Sequence, residues 1–348
     1  MFELIIFLFF LNLIIIFHEL GHFLLAKKFK IPVLEFSVGF LPRIFSFVKN
    51  ETRYSLGLTL LGGFVKLEGE EDPNNPKGFL GQKPLKRFLV IIGGVLMNLI
   101  LAYLFFSLSY LIAFPKPTTQ VFVSGFTKDS VVKNIFQKRD IILEIKIDDK
   151  KFLIQSPEKF VKTLKENLGK DAVFLIKRND QILEINLKIP EKQLSSGGIL
   201  GIYLSNFEFI KKPIPLNFYY AFIDLFASLK KIFIGFKYLI FKLFGQADVP
   251  VEIVGPIGIF SYFINIREFG WGYTFYFVGL LSLYLFLFNL LPIPALDGGR
   301  LIFTILEIVF PQRKINYKIE SFIHQIGFVF LLALLFFITI KDVLKLIR

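Results

Sequence analysis

Four stretches of the chain are apolar almost without a break, at residues 2–26, 88–114, 272–297 and 324–340. A helix needs about 20 apolar residues to cross a bilayer core, so each stretch predicts a membrane span, the last being the shortest. No Lys or Arg precedes the first run, so the basic leader of a signal peptide is missing and the run reads as a retained span. Lys27, Lys28 and Lys30 follow it, and Lys83, Lys86 and Arg87 precede the second run. Short basic loops stay on the cytoplasmic side, which places the N-terminus outside. By the same alternation Lys341, Lys345 and Arg348 would flank the last span outside, against that tendency.

The segments between the runs are patterned differently. Residues 54–67 read as strand, turn and strand, with Gly62 and Gly63 at the bend. Residues 118–206 are polar and strand-rich (121–126, 141–147, 172–177, 182–189), with a helical stretch at 157–168. They predict a small α/β domain of about 90 residues, outside the cytoplasm by chain order. Residues 214–246 are apolar, but Lys230, Lys231, Lys237 and Lys242 recur along them. Basic residues on one face of an apolar helix place it in the membrane interface rather than across it. The chain thus divides into a first membrane half (1–114), the inserted domain (118–206), an interfacial helix (214–246) and a second membrane half (250–348).

Composition agrees with this division. Of 348 residues 54% are hydrophobic, above the roughly 45–50% of soluble proteins, so the expected class is a polytopic α-helical membrane protein with about four spans. There is no cysteine, which excludes disulfides, Cys-ligated zinc and a Cys nucleophile. The net charge of +13 fits juxtamembrane lysines facing anionic lipid. No lysine block is interleaved with stacking aromatics, so no nucleic-acid partner is expected.

The candidate chemistry begins in the first span. His18-Glu19-Leu20-Gly21-His22 reads H-E-x-x-H. Helix positions i and i+4 share a face, so both imidazoles can reach one ion while Glu19 holds a water. Ionisable residues inside a span are costly and point to function; the bland alternative is a chance match. A catalytic zinc takes three protein ligands. The third histidine, His324, stands alone at the start of a span and reads as an interfacial residue. The remaining choice is a carboxylate, and Asp297 stands out after Asn289, Pro292 and Pro294. Prolines unwind the helix there, and non-helical backbone at membrane depth is tolerated only inside protein or a cavity. The alternative role for Asp297 is to cap a helix starting at Gly298 or Gly299. His18 lies about 24 Å along the first span, and Asp297 ends the third. The two meet only if those spans run parallel, with the second as the single crossing between them.

Together these residues resemble the site-2 protease family of intramembrane zinc metalloproteases. Its paired motifs, H-E-x-x-H and N-x-x-P-x-P-x-L-D-G, are both met, the second over 289–298. Phe36-Ser37-Val38-Gly39-Phe40 resembles the family's segment after the first span, with Leu41 where a glycine is usual. Leu61-Gly62-Gly63-Phe64-Val65-Lys66 resembles its membrane-associated β-element, Gly93-Gly94-Val95-Leu96-Met97-Asn98 its second-span motif, and Gly255-Pro256-Ile257-Gly258 a segment before the third span. The insert resembles a single PDZ-like domain of the bacterial type, with Asn134-Ile135-Phe136 and Arg139 replacing its usual small residues and glycine.

The resemblance implies Zn2+ held by His18, His22 and Asp297, with Glu19 as catalytic base. It implies that Asn289 holds substrate or stabilises the intermediate, and that Gly62, Gly63 and Phe64 help bind an unwound substrate. The implied partners are the lipid bilayer and transmembrane segments of other proteins, already trimmed by another protease. The implied location is the plasma (inner) membrane, with the PDZ-like domain outside and the site toward the cytoplasm. Two other classes compete: an inactive PDZ-bearing scaffold, which would lack Glu19 or a ligand, and a membrane zinc protease of prenylated or soluble chains. The latter would take a Glu ligand from a later helix and leaves 289–299 without a purpose.

Overall fold

The computed structural model describes residues 2–194, 198–243, 254–312 and 316–347. Residues 244–253, where the amphipathic segment and the second membrane half were expected to join, lie outside the described residues, as does Arg348. The chain forms two units, residues 1–113 with 211–348, and residues 114–210.

In the first unit four helices are long and apolar enough to cross a membrane: α1 (Phe2–Lys28), α2 (Pro84–Ile112), α6 (Trp271–Leu290) and α8 (Tyr317–Ile347). They correspond to the four apolar runs, with shifted ends. Pro84 occupies the first turn of α2, where its missing N–H and fixed φ cost nothing. The third run ends as helix at Leu290, because Pro292 and Pro294 follow. A separate short helix, α7 (Asp297–Val309), begins where the run ends. Half of the most apolar stretch of α2 is buried against 6% of that of α8, which makes α2 the central helix.

Small residues set how closely the helices approach. A Cβ on Gly21 of α1 would collide with the Gly93 carbonyl of α2, and one on Gly279 of α6 with the Phe106 ring. Such close backbone packing drives helix association in lipid, where apolar surface alone does not. Hydrogen bonds join the same helices: Ser109 Oγ donates to the Gly272 carbonyl (2.7 Å) and Ser282 Oγ to the Asn98 carbonyl (2.8 Å).

Helix α4 (Leu216–Leu243) buries Asn217, Ala221, Leu225, Ser228 and Ile232 and exposes Lys231 and Lys237. The helical spacing of the buried set makes one stripe. Helix α5 (Pro256–Arg267) has its first amides capped from α8, where the Asp342 carboxylate accepts from Gly255 N–H (3.3 Å) and Gly258 N–H (2.8 Å).

Between α1 and α2 lies a long antiparallel hairpin, β1 (Val33–Lys49) and β2 (Thr52–Leu67). This corrects the expected strand–turn–strand over 54–67. The turn is Asn50-Glu51, with φ of 49° and 63°, the left-handed pair that suits a two-residue hairpin. Gly62 and Gly63 lie inside β2, Gly62 at φ +105°. The ladder is bulged, and Phe36 faces both Val65 and Tyr54, so the start of β1 is flanked on two sides by β2.

The second unit is a six-stranded sheet in the order β7-β6-β4-β3-β8, with β5 paired to β4. Its strands are β3 (Phe114–Phe126), β4 (Ile141–Ile147), β5 (Lys150–Leu153), β6 (Asp171–Arg178), β7 (Gln181–Lys188) and β8 (Ile202–Ile210). The pattern anticipated all but β5 and β8, and β3 begins seven residues before the predicted strand. Helix α3 (Pro157–Lys165) is capped by Ser156 Oγ, which accepts from Lys159 N–H. Its buried Phe160 and Leu164, at i and i+4, join Val121, Phe136, Ile145 and Phe174 in one core.

Candidate metal centre

The helical spacing of H-E-x-x-H sets the first two groups. His18 Nε2 and His22 Nε2 lie 3.2 Å apart on one face of α1. Asp297 arrives from the first residue of α7. Its Oδ2 is 3.1 Å from His18 Nε2 and 3.4 Å from His22 Nε2. Three such separations match the edge of a tetrahedron with arms of about 2.0–2.1 Å, roughly 3.4 Å. Asp297 Oδ2 is buried and makes no hydrogen bond in hydrogen-bonding geometry. The residues therefore fit a zinc ion: two imidazole nitrogens and one carboxylate oxygen converge, and the oxygen is otherwise orphaned. Among the described residues this is the one cluster of metal-ligating side chains that forms. Asp297 does not act as a helix cap, since the N-cap of α7 is Leu296 and no side chain caps it.

The surroundings orient each ring. His22 Nδ1 lies 2.9 Å from the Val90 carbonyl of α2, which accepts its proton and leaves Nε2 free to bind metal. His18 Nδ1 contacts the Asn98 amide at 3.4 Å. Turning that amide by 180° brings its Oδ1, otherwise buried and unpartnered, to accept Nδ1–H, and the same tautomer results. Room for His22 comes from Gly94, where a Cβ would strike the imidazole. The Gly93-Gly94 pair thus serves two purposes, helix contact and ring space.

Asp297 is aimed by the loop before it. Pro292 and Pro294 stop α6, and Ala295 takes φ +78°, a conformation that costs an L residue roughly 1–2 kcal/mol. The loop folds back over α7 so closely that a Cβ on Gly298 would strike the Leu291 carbonyl and one on Gly299 would lie 2.5 Å from the Ile293 carbonyl. Farther along, Glu307 of α7 pairs with the buried Arg87 of α2.

Glu19 sits between the histidines and turns toward β2. Its Cγ is 3.7 Å from where a Cβ on Gly63 would be. A cavity of about 290 Å³ holds His18, Glu19, His22 and Asp297, with Phe64 and Asn289 in its wall. Gly62 packs against the Phe40 ring instead. Sequence reasoning missed Glu70 and Arg300, which also line the cavity. Glu70 accepts from Leu67 N–H (2.9 Å), and burial holds its carboxyl above the usual carboxylate range. It missed His324 as well, whose Nδ1 accepts from Ala295 N–H at 2.9 Å.

The model of peptidase family M50 matches residues 6–334. A Fusobacterium nucleatum protein whose name describes a zinc metalloprotease is 35% identical, over 97% of both chains. Membrane metalloprotease ARASP, chloroplastic, of Arabidopsis thaliana is 30% identical over 97% of this chain and 77% of its own. Regulator of sigma-W protease RasP of Bacillus subtilis is 26% identical over 96% of both. With a family match along nearly its whole length, this chain belongs to peptidase family M50, the site-2 protease family of membrane zinc metalloproteases.

Proposed function

We propose that this protein hydrolyses peptide bonds within the transmembrane segments of other membrane proteins. The observation that carries the reading is the meeting of His18 and His22 of α1 with Asp297, the first residue of α7, around one cavity. In this reading the three hold zinc. When bound, zinc supplies Lewis acidity, acidifying water and polarising a carbonyl oxygen. Glu19 takes the proton of the attacking water and passes it to the leaving amine. Asn289, in the cavity wall, holds the substrate or donates to the oxygen that gains charge.

A helical substrate hides its peptide bonds, so it must unwind first. Residues 59–67 of β2 pair with β1 and contribute Phe64, Val65 and Leu67 to the cavity. Their outer edge would take up the extended segment by strand addition, with Gly62 and Gly63 letting the strand bend. Residues 214–246 would lie along the interface, which keeps α1 and α6 parallel. The unit of 114–210 would be a PDZ-like domain outside the cytoplasm, admitting substrates already trimmed. Its edge strand β8 and helix α3 border an open groove. The site would face the cytoplasmic side of the plasma membrane. Candidate substrates are anti-sigma factors, in keeping with the name of the Bacillus subtilis relative, and remnant signal peptides.

The test is cleavage of a single-span substrate in lipid vesicles by wild type and Glu19→Gln. The variant should keep its zinc and cut nothing, since Gln cannot accept a proton. Cleavage by Glu19→Gln at the wild-type rate overturns the role of Glu19. Failure of the zinc-loaded wild type to cut any membrane-embedded bond overturns the reading as a whole.

A further inference from the structure

We propose that His324 of α8 is a positioning residue for Asp297, holding the preceding loop in the backbone shape that aims the carboxylate at His18 and His22. The inference rests on the metal-ligand reading above and extends it to a helix that supplies no ligand.

The loop has few donors of its own. Pro292 and Pro294 have no N–H. Leu291 N–H donates to Phe288, Ile293 N–H to Leu291, and Leu296 N–H to Ile293, all carbonyls nearby in sequence. Ala295 N–H is the exception. It donates to His324 Nδ1 across 29 positions of sequence, at 2.9 Å. Ala295 is also the residue at φ +78°. Pro294 and Ala295 are the central residues of a turn that Leu296 N–H closes onto the Ile293 carbonyl (3.2 Å), and a positive φ at the second of them is what such a turn requires. That bond shapes the turn but ties it to nothing else, and the Ala295 N–H bond to His324 fixes it against α8.

Its chemistry supports the assignment. An Nδ1 that accepts places the imidazole proton on Nε2. That Nε2 is buried, with no hydrogen-bond partner among the described residues. A buried N–H left unpaired is unfavourable, so on packing grounds alone an apolar side chain would serve α8 better. What the imidazole adds is the acceptor on its other nitrogen. Around this bond α8 sits hard against the loop. A Cβ on Gly327 would strike Pro294, and one on Gly299 would lie 3.1 Å from His324 Cε1. The Phe303 ring of α7 closes the other side at 5.8 Å. The ring thus touches the loop, the first turn of α7 and its second turn.

The experiment uses the full-length protein in lipid nanodiscs, as His324→Leu and His324→Asn. Asn carries an acceptor oxygen near the place of Nδ1, and Leu carries none. Hydrogen exchange across residues 291–299 is measured on zinc-free protein, and zinc release to a chelator on loaded protein. His324→Leu should speed exchange of the Ala295 amide and release zinc about 10–100-fold faster, the usual effect of losing a group that orients a ligand. His324→Asn should stay near wild type on both. Wild-type exchange and zinc release in His324→Leu overturn the proposal, as does a His324→Asn no better than Leu. Asp297→Ala is measured alongside. If it keeps zinc like wild type, the ligand assignment has failed; if it loses zinc while His324→Leu keeps it, the positioning role alone has failed.

Discussion

In the unit of residues 114–210 the core cluster is aliphatic and aromatic, with Val121, Phe136, Ile145, Phe174 and Ile176 among its members, and the buried Asp140 is neutralised by Arg178 at 2.7 Å. In the helical unit the buried set includes Asn98, Ser109, Thr274, Ser282 and Arg87, while Phe322, Ile326, Phe330 and Phe337 of α8 face outward. The first arrangement takes apolar surface out of water, at about 25 cal/mol per Å². The second gains nothing by hiding apolar groups from lipid, so its helices meet through glycines and through hydroxyls bonded to carbonyls. The proposed metal site belongs to the second kind of interior. Its histidines, glutamate and aspartate need polar partners from neighbouring helices, and an interior already built on such contacts supplies them.

The contrast makes the two units fail differently. Gly94→Leu should have the largest effect. The added side chain enters the space of the His22 imidazole and would displace one of the three proposed ligands, so zinc affinity should fall by more than about 100-fold, beyond the usual range for an orienting group. Metal analysis after dialysis against a weak chelator reads this directly, while thermal unfolding of residues 114–210 should not move. Wild-type zinc occupancy in Gly94→Leu would mean that His22 does not need the place the glycine leaves it.

Phe174→Ala comes next and should do the converse. The ring is wholly buried and meets Phe136 edge-on at 5.7 Å. Truncation leaves a cavity and costs about 3–5 kcal/mol. Unfolding of the 114–210 unit, followed by limited proteolysis at rising temperature, should begin at lower temperature with zinc still bound. Loss of zinc along with that unit's stability would show that the two interiors are coupled, and would remove the basis of the comparison.

The sequence carried the parts of the site that repeat at short range. His18 and His22 are legible because helix spacing alone puts them on one face. Asp297 is legible because the prolines before it cannot continue a helix. The rest depends on partners that leave no mark in a pattern of side chains. Val90 and Ala295 act through a backbone carbonyl and a backbone N–H, so nothing at those positions or at His324 announces the pairing. Helix α7 is legible only as a helix that Asp297 could cap, because the apolar run ends at Asp297 and the 13 residues of α7 are too few to read as a span. Strand β1 was missed because Phe40, Ile44, Phe45, Phe47 and Val48 are exposed; with apolar residues on its open surface, the two-residue alternation of a half-buried strand is blurred. The same surface explains why the bend was placed at Gly62-Gly63 rather than at Asn50-Glu51.

The smallest expected effect tests whether that hairpin has an interior of the polar kind. Glu35, buried in β1, accepts from Arg43 Nε (2.7 Å) and from Ser55 Oγ (2.6 Å). The Arg43 guanidinium, with help from Ser55, holds the Glu35 carboxyl below the usual carboxylate range. A depressed carboxylate stabilises the fold when ionised. Its contribution is therefore complete above the unfolded value, near about 4.3 for glutamate, and fades as pH falls through the lower folded value. Hydrogen exchange of β1 and β2 at rising acidity, corrected for the intrinsic rate, should show constant protection down to that range and lose it below. In Glu35→Gln the acid-dependent loss should disappear, because no charge remains to be neutralised. A step in wild type at higher pH, or one that persists in Glu35→Gln, would assign the hairpin's stability to some other group and leave its interior closer to that of the 114–210 unit.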